Sequence, residues 1–465
     1  MSGDGIFEAS PTMKDDWQEI ARAGARSSAA ARQILRGVFR TYPGSLAIRL
    51  WDGQTLAFGT GAPAFTLVFH HPETLRDTAL SRNPLKLAEA YFRGRIDVEG
   101  DFYRALALKD NLSAVRVKLW ERLLLAMKAL SLNSSHADSP DEPGAPESRR
   151  PLFGRLVRSH SKRENEEAIS FHYDVSNEFY ALWLDEQMVY SCGYFADSQD
   201  SLEQAQRNKL EHICRKLRLQ PGERLLDIGC GWGALILWAA KQYRVRAHGV
   251  TLSRRQFEYA TQRIRDEGLE DLVTVELRDY RELAGQDVFD KIASVGMFEH
   301  VGLKNLPFYF GAAHRLLKPG GLFLNHGITH DEEGWPSTLS ADFINRYVFP
   351  DGELDTIGNV QRVMEGARLE ILDVEALRPH YAATLRHWVG RLERHKDEAL
   401  RHVGESTYRV WRLYMTACAP EFEQGKIGVY QVLASKRRDG FANVPLTRCD
   451  LYRPQSALPR DSSER

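Results

Sequence analysis

Residues 225–235, LLDIGCGWGAL, set an acid, Asp227, just ahead of three glycines, Gly229, Gly231 and Gly233. An apolar, strand-like run leads in, and a helical run starts at Trp232. A backbone that turns sharply from strand to helix while closely approaching a ligand needs glycine, and the helix start offers free N–H groups to that ligand. The chemistry suited to this pattern is the holding of a nucleoside or nucleotide. Glycines serving only a tight turn are the plainer reading, but three of them with an acid exceed what a turn requires. The run also satisfies G-x-G-x-x-A, so a dinucleotide has to be weighed.

Asp227 directly before the glycines gives the D-x-G-x-G form found in methyltransferases. The second strand ends in Thr251-Leu252-Ser253, where a dinucleotide fold would place its ribose-binding acid. Both features favour S-adenosylmethionine over NAD. Taken singly, the other reactive side chains are ambiguous. Glu299 and His300 could cap a following helix, His326 ends an expected strand at the carboxyl-end crevice of a sheet, Cys192 could be a small buried residue, and Tyr381 a packed aromatic.

These residues need a frame to position them, and the chain alternates periods as a parallel sheet covered by helices does. Strands are expected near 223–228, 245–250, 272–277, 289–295 and 321–326, with helices at 232–242, 253–267 and 303–317 and a turn at Pro319-Gly320-Gly321. The fold class is α/β. Upstream, GSLAIRLWDGQTLAFG alternates around Asp52-Gly53, a type I′ turn signal, AFTLVFHH reads as another strand, and helices fit 83–96 and 114–130, so a smaller α+β domain is expected there. Residues 131–150 hold three prolines and five serines and read as a linker. The divisions expected are therefore 1–130, a linker at 131–150, a catalytic domain at 151–453 and a frayed tail at 454–465.

The 465 residues are 43% hydrophobic and 27% charged, which excludes collagen-like, coiled-coil and wholly disordered chains. Net charge is -1, so nothing favours nucleic acid globally, and any anionic surface must be met by a local patch. The five cysteines form no C-x-x-C pair and no zinc spacing. With a polar N-terminus and no apolar run of about 18 residues, the expectation is a reduced cytoplasmic protein without metal, export signal or membrane span.

Several separated blocks resemble the cyclopropane fatty acid synthases and the related mycolic acid cyclopropane synthases. FHYDVSNEFYALWLD (171–185), YSCGYF (190–195), LLDIGCGWG (225–233), GVTLSRRQ (249–256), VGMFEHVG (295–302) and HYAATLRHW (380–388) occur in that family's order, across about residues 165–435. The resemblance implies a Rossmann-like class I S-adenosylmethionine-dependent methyltransferase domain. It places Tyr190, Ser191, Asp227, Gly229, Gly231, Gly233, Thr251, Leu252, Gln256, Asp279 and Tyr280 around S-adenosylmethionine. Cys192, Glu299, His326, Ile328 and Tyr381 would surround a bound bicarbonate, and Cys418, in LYMTACAP, is a candidate nucleophile whose alternative role is packing. His172, Tyr173 and Asp174 fall in a matching block without an assigned role.

The implied reaction transfers a methylene from S-adenosylmethionine to a cis double bond of a phospholipid acyl chain. It passes through a carbocation that aromatic faces such as Tyr190, Phe195, Phe298 and Tyr347 could stabilise, with bicarbonate as the base. The alternative is a lipid C-methyltransferase giving a methyl-branched chain; a silent lipid-binding protein and a small-molecule methyltransferase stand further off. The sequence departs from the family at His326-Gly327-Ile328, where relatives usually carry Thr or Ser in the middle. Residues 149–163, RRPLFGRLVRSHSKR, carry six basic residues among Leu152, Phe153, Leu156 and Val157 and suit an anionic membrane surface, a solvated linker end being the alternative. The first domain, notably LAEAYFRGRIDVEGD (87–101), resembles the one that precedes the catalytic domain in longer bacterial members. Lipid presentation or a homodimer contact is expected of it, with peripheral association at the inner membrane face.

Overall fold

The computed structural model describes residues 27–40, 42–80, 85–108, 132, 175–332, 347–348, 353–440, 442 and 444–452. The expected helix at 114–130, the basic stretch 149–163, His172 to Asp174 and the tail at 454–465 lie outside them, as does the expected linker except for Leu132. The chain forms two compact units, Met1–Arg149 with Glu405–Val410, and Arg150–Gly404 with Trp411–Arg465.

The smaller unit carries a four-stranded sheet of β1 (Leu46–Arg49), β2 (Thr55–Phe58), β3 (Phe65–Phe69) and β4 (Ile96–Gly100) in the order β2-β1-β3-β4. Ile34, Leu46, Ile48, Phe65 and Ile96 fill its core. Two local expectations need correction. Gly53 follows a turn closed by its N–H on the Leu50 carbonyl, and it alone has positive φ, so the hairpin uses a three-residue loop with a glycine bulge instead of a type I′ turn. The helix expected over 83–96 is described over Leu85–Phe92 only; Gly94 at φ 66 ends it, and Ile96 opens β4.

The larger unit contains α1 (Leu202–Lys216), β5 (Arg224–Ile228), α2 (Ala234–Tyr243), β6 (Arg246–Thr251), α3 (Arg254–Asp266), β7 (Val273–Leu277), β8 (Phe289–Val295), α4 (Leu306–Leu316), β9 (Leu317–His330), α5 (Ile357–Gly366), β10 (Glu370–Ala376), α6 (Arg378–Arg394), the part of α7 (Glu405–Gln424) from Trp411 onward, and β11 (Ile427–Ser435). Its seven-stranded sheet runs β10-β11-β9-β8-β5-β6-β7. Strands β5 to β9 pair in parallel, and β11 joins β9 and β10 antiparallel. Apolar residues cover both faces. Ile213, Leu225, Ile236 and Leu324 belong to one cluster, and Leu226, Ile292, Phe310 and Phe323 to the other, which is why the central strands read as continuous apolar runs.

The five expected strands and three helices fall within a few residues of the observed ones, with one difference. Pro319-Gly320-Gly321 does not precede β9 but interrupts it: pairing with β8 jumps from Phe289 opposite Leu317 to Lys291 opposite Leu322, so the turn residues form a bulge. Because the chain runs outward from β5 through β6 to β7 and then crosses back to add β8 on the other side of β5, a crevice opens at the carboxyl end of β5.

Candidate active site

The glycine loop occupies that crevice. Gly229, Gly231 and Gly233 have φ of 82°, 55° and 89°, in the left-handed region where a side chain is strained. A Cβ on Gly229 would come 2.9 Å from Met297 Cγ, whereas one on Gly231 would meet nothing within 4 Å, because that residue faces open space. Gly233 forms the N-cap of α2. In front of the loop is a cavity of about 1120 Å³, counted to its open mouth. Tyr190, Ser191, Asp227, Gly229, Gly231, Thr251, Leu252, Gln256, Asp279 and Tyr280 all line it. Of the residues expected around the cofactor, Gly233 alone stands behind the wall.

Local bonds fix these groups. The Thr251 hydroxyl donates to Gln256 Oε1 at 2.8 Å, and Asp279 accepts two hydrogen bonds from Arg281 Nε at 2.9 and 3.0 Å. Asp227 is buried with Oδ1 unpaired among the described residues, and burial pushes its carboxyl up to about 7 against the opposing pull of Lys209. Lys209, on α1, escaped sequence reasoning. Its ammonium donates to Ser191 Oγ at 2.7 Å, and burial draws its pKa down to about 8 despite Asp185, Cys192 and Asp227. Gln206 on the same helix donates to the Ser191 carbonyl at 2.9 Å, so α1 holds the 189–192 segment at the cavity wall. A lysine and a glutamine three apart on an amphipathic helix carried no signal beyond that helix.

A second set of residues lies beyond the cavity lining. Glu299 falls between Met297 and His300, which line the cavity, and its Oε1 accepts from the Ile328 N–H at 2.7 Å. That bond ties Glu299 to β9 two residues from His326. Glu299 Oε2 and His326 Nε2 are both buried without a partner among the described residues. Burial pushes the Glu299 carboxyl up to about 7 and draws His326 well below its usual value, so the imidazole is neutral at pH 7. The Cys192 thiol donates to the Leu377 carbonyl at 3.7 Å, and Gly193 N–H to Thr384 Oγ1 at 3.0 Å, binding this segment to α6, which bears Tyr381. Burial pushes the Cys192 thiol up, so it stays protonated. Cys418 is buried on α7 and does not line the cavity.

The two sets are joined by aromatic rings. Tyr190 lies 5.3 Å from Trp388, 5.4 Å from Trp183 and 5.7 Å from Tyr180, and Trp388 in turn lies 6.0 Å from Tyr381. Of the aromatic faces expected to meet a cation, Tyr190 belongs to this cluster. Phe195 instead stacks on His387 at 5.5 Å, and the Phe298 ring fills the space above Gly327, where a Cβ would be 1.9 Å from Cε1. Trp183, in a turn, and Trp388 and Trp411, on helices, with Trp411 5.4 Å from Trp183, were not singled out from the sequence, where a tryptophan gives no sign of which rings it will meet. No group of three or more His, Cys, Asp or Glu suited to a metal occurs among the described residues.

Residues 160–432 match the family model described as mycolic acid cyclopropane synthetase. The chain belongs to that family. A domain of unknown function (DUF7884) matches residues 32–113. The chain is 42% identical to a "Probable fatty acid methyltransferase" of Pseudomonas putida over 88% of its length and 96% of the relative's. It is 40% identical to the cyclopropane-fatty-acyl-phospholipid synthase of Escherichia coli K12 over 61% of its length and 71% of the relative's. The solved mycolic acid cyclopropane synthase CmaA1, complexed with SAH and CTAB, is 35% identical with a TM-score of 0.56, covering 58% of this chain and 98% of that one. Membership makes the chain an S-adenosylmethionine-dependent methyltransferase with the class I sheet described above.

Proposed function

We propose that this enzyme transfers a methylene group from S-adenosylmethionine to the cis double bond of an unsaturated phospholipid acyl chain, forming a cyclopropane. The observation that carries the reading is the pairing of the open cavity in front of the glycine loop with two unpaired polar atoms just past its lining, Glu299 Oε2 and His326 Nε2. S-adenosylmethionine supplies an electrophilic methyl group. Tyr190, Ser191, Asp227, Thr251, Gln256, Asp279 and Tyr280 hold it on the glycine loop, with Gly229 and Gly231 giving the backbone close approach.

An alkene is a weak nucleophile, and its attack on a sulfonium methyl leaves a carbocation that water would quench. Tyr190 lines the cavity, and the buried rings of Tyr180, Trp183 and Trp388 packed behind it make that wall dry and electron-rich, which suits a positive charge. Closing the ring requires loss of a proton from the transferred methyl, and bicarbonate supplies a base for it. The unpaired atoms of Glu299 and His326 fit such an anion. With Oε1 accepting from Ile328 and a pKa near 7, Glu299 can present a proton on Oε2, and the neutral imidazole can present an N–H. Ile328, Cys192 and Tyr381 complete the surround, and no step needs a covalent bond to Cys418.

No helix among the described residues is long and apolar enough to cross a membrane. The lipid is reached peripherally from the cytoplasmic face, through the basic stretch 149–163, while the first domain presents lipid or joins a second copy. The test is incubation of the protein with S-adenosylmethionine and vesicles of monounsaturated or saturated phospholipid. The reading requires a gain of one CH₂ on unsaturated chains only, with a rate that falls when bicarbonate is stripped. No gain on either vesicle would overturn it.

A further inference from the structure

The antiparallel register sets Glu375 on β10 opposite Gln431 on β11, and Gln431 opposite His326 on β9. Directly opposed residues in antiparallel strands point to one face, so the three side chains form a row across the sheet. Gln431 is wholly buried, and its Nε2 lies 3.1 Å from His326 Nδ1. At the other end of the row, Glu375 Oε2 binds Lys216 Nζ at 2.5 Å and His212 Nε2 at 2.7 Å. The carboxylate there is already engaged by two donors from α1.

Two arrangements of this contact exist, and they differ in chemistry. With the amide nitrogen on Nδ1, that ring nitrogen accepts, so the proton of a neutral imidazole sits on Nε2. With the amide reversed, Nδ1 donates, Nε2 turns a lone pair into the site, and the amide NH₂ loses its acceptor. The first arrangement leaves Gln431 Oε1 buried without a partner among the described residues, whereas the second leaves both amide N–H groups unmet and also sets lone pair against anion at Nε2. Nε2 is the unpaired ring nitrogen, so whatever it carries is what the site offers.

We infer that Gln431 is a positioning residue that holds His326 as the tautomer protonated on Nε2, making His326 a hydrogen-bond donor to the bound anion and not the base. The anion at Nε2 rests on the proposed function, while the contact of Gln431 Nε2 with Nδ1 stands apart from it. Nothing in the sequence marks Gln431, which stands 105 residues from its partner in a strand of otherwise ordinary composition.

The test uses the full chain with ¹⁵N-labelled histidine, the His326 signals assigned by their loss in His326→Asn. At pH 7 the wild type should show a neutral ring protonated on Nε2. Gln431→Glu can only accept from Nδ1 once its carboxyl is ionised, and at a pH where it is should move the proton there or charge the ring. Its turnover should fall about 100-fold, as a wrong tautomer does elsewhere, while S-adenosylmethionine affinity stays within about twofold. Gln431→Met keeps the volume without a donor and should give both tautomers. A wild-type ring protonated on Nδ1, or a Gln431→Glu variant with unchanged turnover, would overturn the inference. If the tautomer is as stated but wild-type turnover ignores bicarbonate, the inference stands and the proposed base is wrong.

Discussion

Three buried ionisable side chains sit close to neutrality because of burial: Asp227 and Glu299 near 7, and Lys209 near 8. For Glu299 this has two consequences. Glu299→Gln keeps the Ile328 hydrogen bond through its amide oxygen but cannot vary its proton, so turnover should drop about 10²–10⁴-fold, with cofactor binding by calorimetry unchanged. The folded state also keeps the Glu299 proton in a range where the unfolded chain has lost it. Between pH 4.5 and about 7 the native state binds more protons, so this residue's contribution to stability is lost as pH rises through that window. The melting temperature of Glu299→Gln should therefore gain on the wild type from pH 5 to about pH 7.5, and parallel curves would contradict the burial argument. Cys418→Ser should retain turnover within about threefold, since the proposed chemistry forms no enzyme-bound intermediate; loss of turnover with intact cofactor binding would restore Cys418 as a participant.

At the level of elements, β9 brings the site together, and Gly327 is its tightest point. A Cβ there would fall 1.9 Å from the Phe298 ring and 3.1 Å from Glu299 Oε1, so an aromatic edge, and not a void, fills the space a side chain at 327 would need. Gly327→Ala should destabilise by about 1–3 kcal/mol through overpacking. Pairing it with Phe298→Leu should recover part of that loss, measured as a coupling of at least about 0.5 kcal/mol in a denaturation cycle. Strictly additive losses would mean that the ring does not set the tolerance at 327. The glycine loop and its flanking strands were legible because backbone geometry and burial write themselves into local sequence: positive φ selects glycine, and burial on both faces selects unbroken apolar runs. The β9 bulge was not legible, since Pro-Gly-Gly signals a turn equally well before or inside a strand. Lys209, Gln431 and Trp388 were missed for a related reason. Each acts through a neighbour that only the tertiary register supplies.

At the scale of the whole molecule, the first unit has its own sheet and core, and the second carries every residue placed around the cavity. Net charge is only -1, so attraction to a membrane has to be local, and the six basic residues of 149–163 are the segment that could provide it. Replacing four of them with Gln should weaken binding to vesicles rich in anionic lipid by several kcal/mol at low salt, at roughly 1 kcal/mol each, and leave binding to neutral vesicles unchanged. Equal binding in a sedimentation assay would return the segment to the role of a solvated linker end. The central claim, that the carbocation closes to a ring, is tested most directly with S-adenosylmethionine bearing a trideuterated methyl group. Lipids extracted after turnover should keep two of the three deuteriums per modified chain and, in a parallel unlabelled reaction, show high-field cyclopropyl proton signals. Retention of all three, or olefinic signals in place of cyclopropyl ones, would contradict ring closure and assign the enzyme to C-methylation.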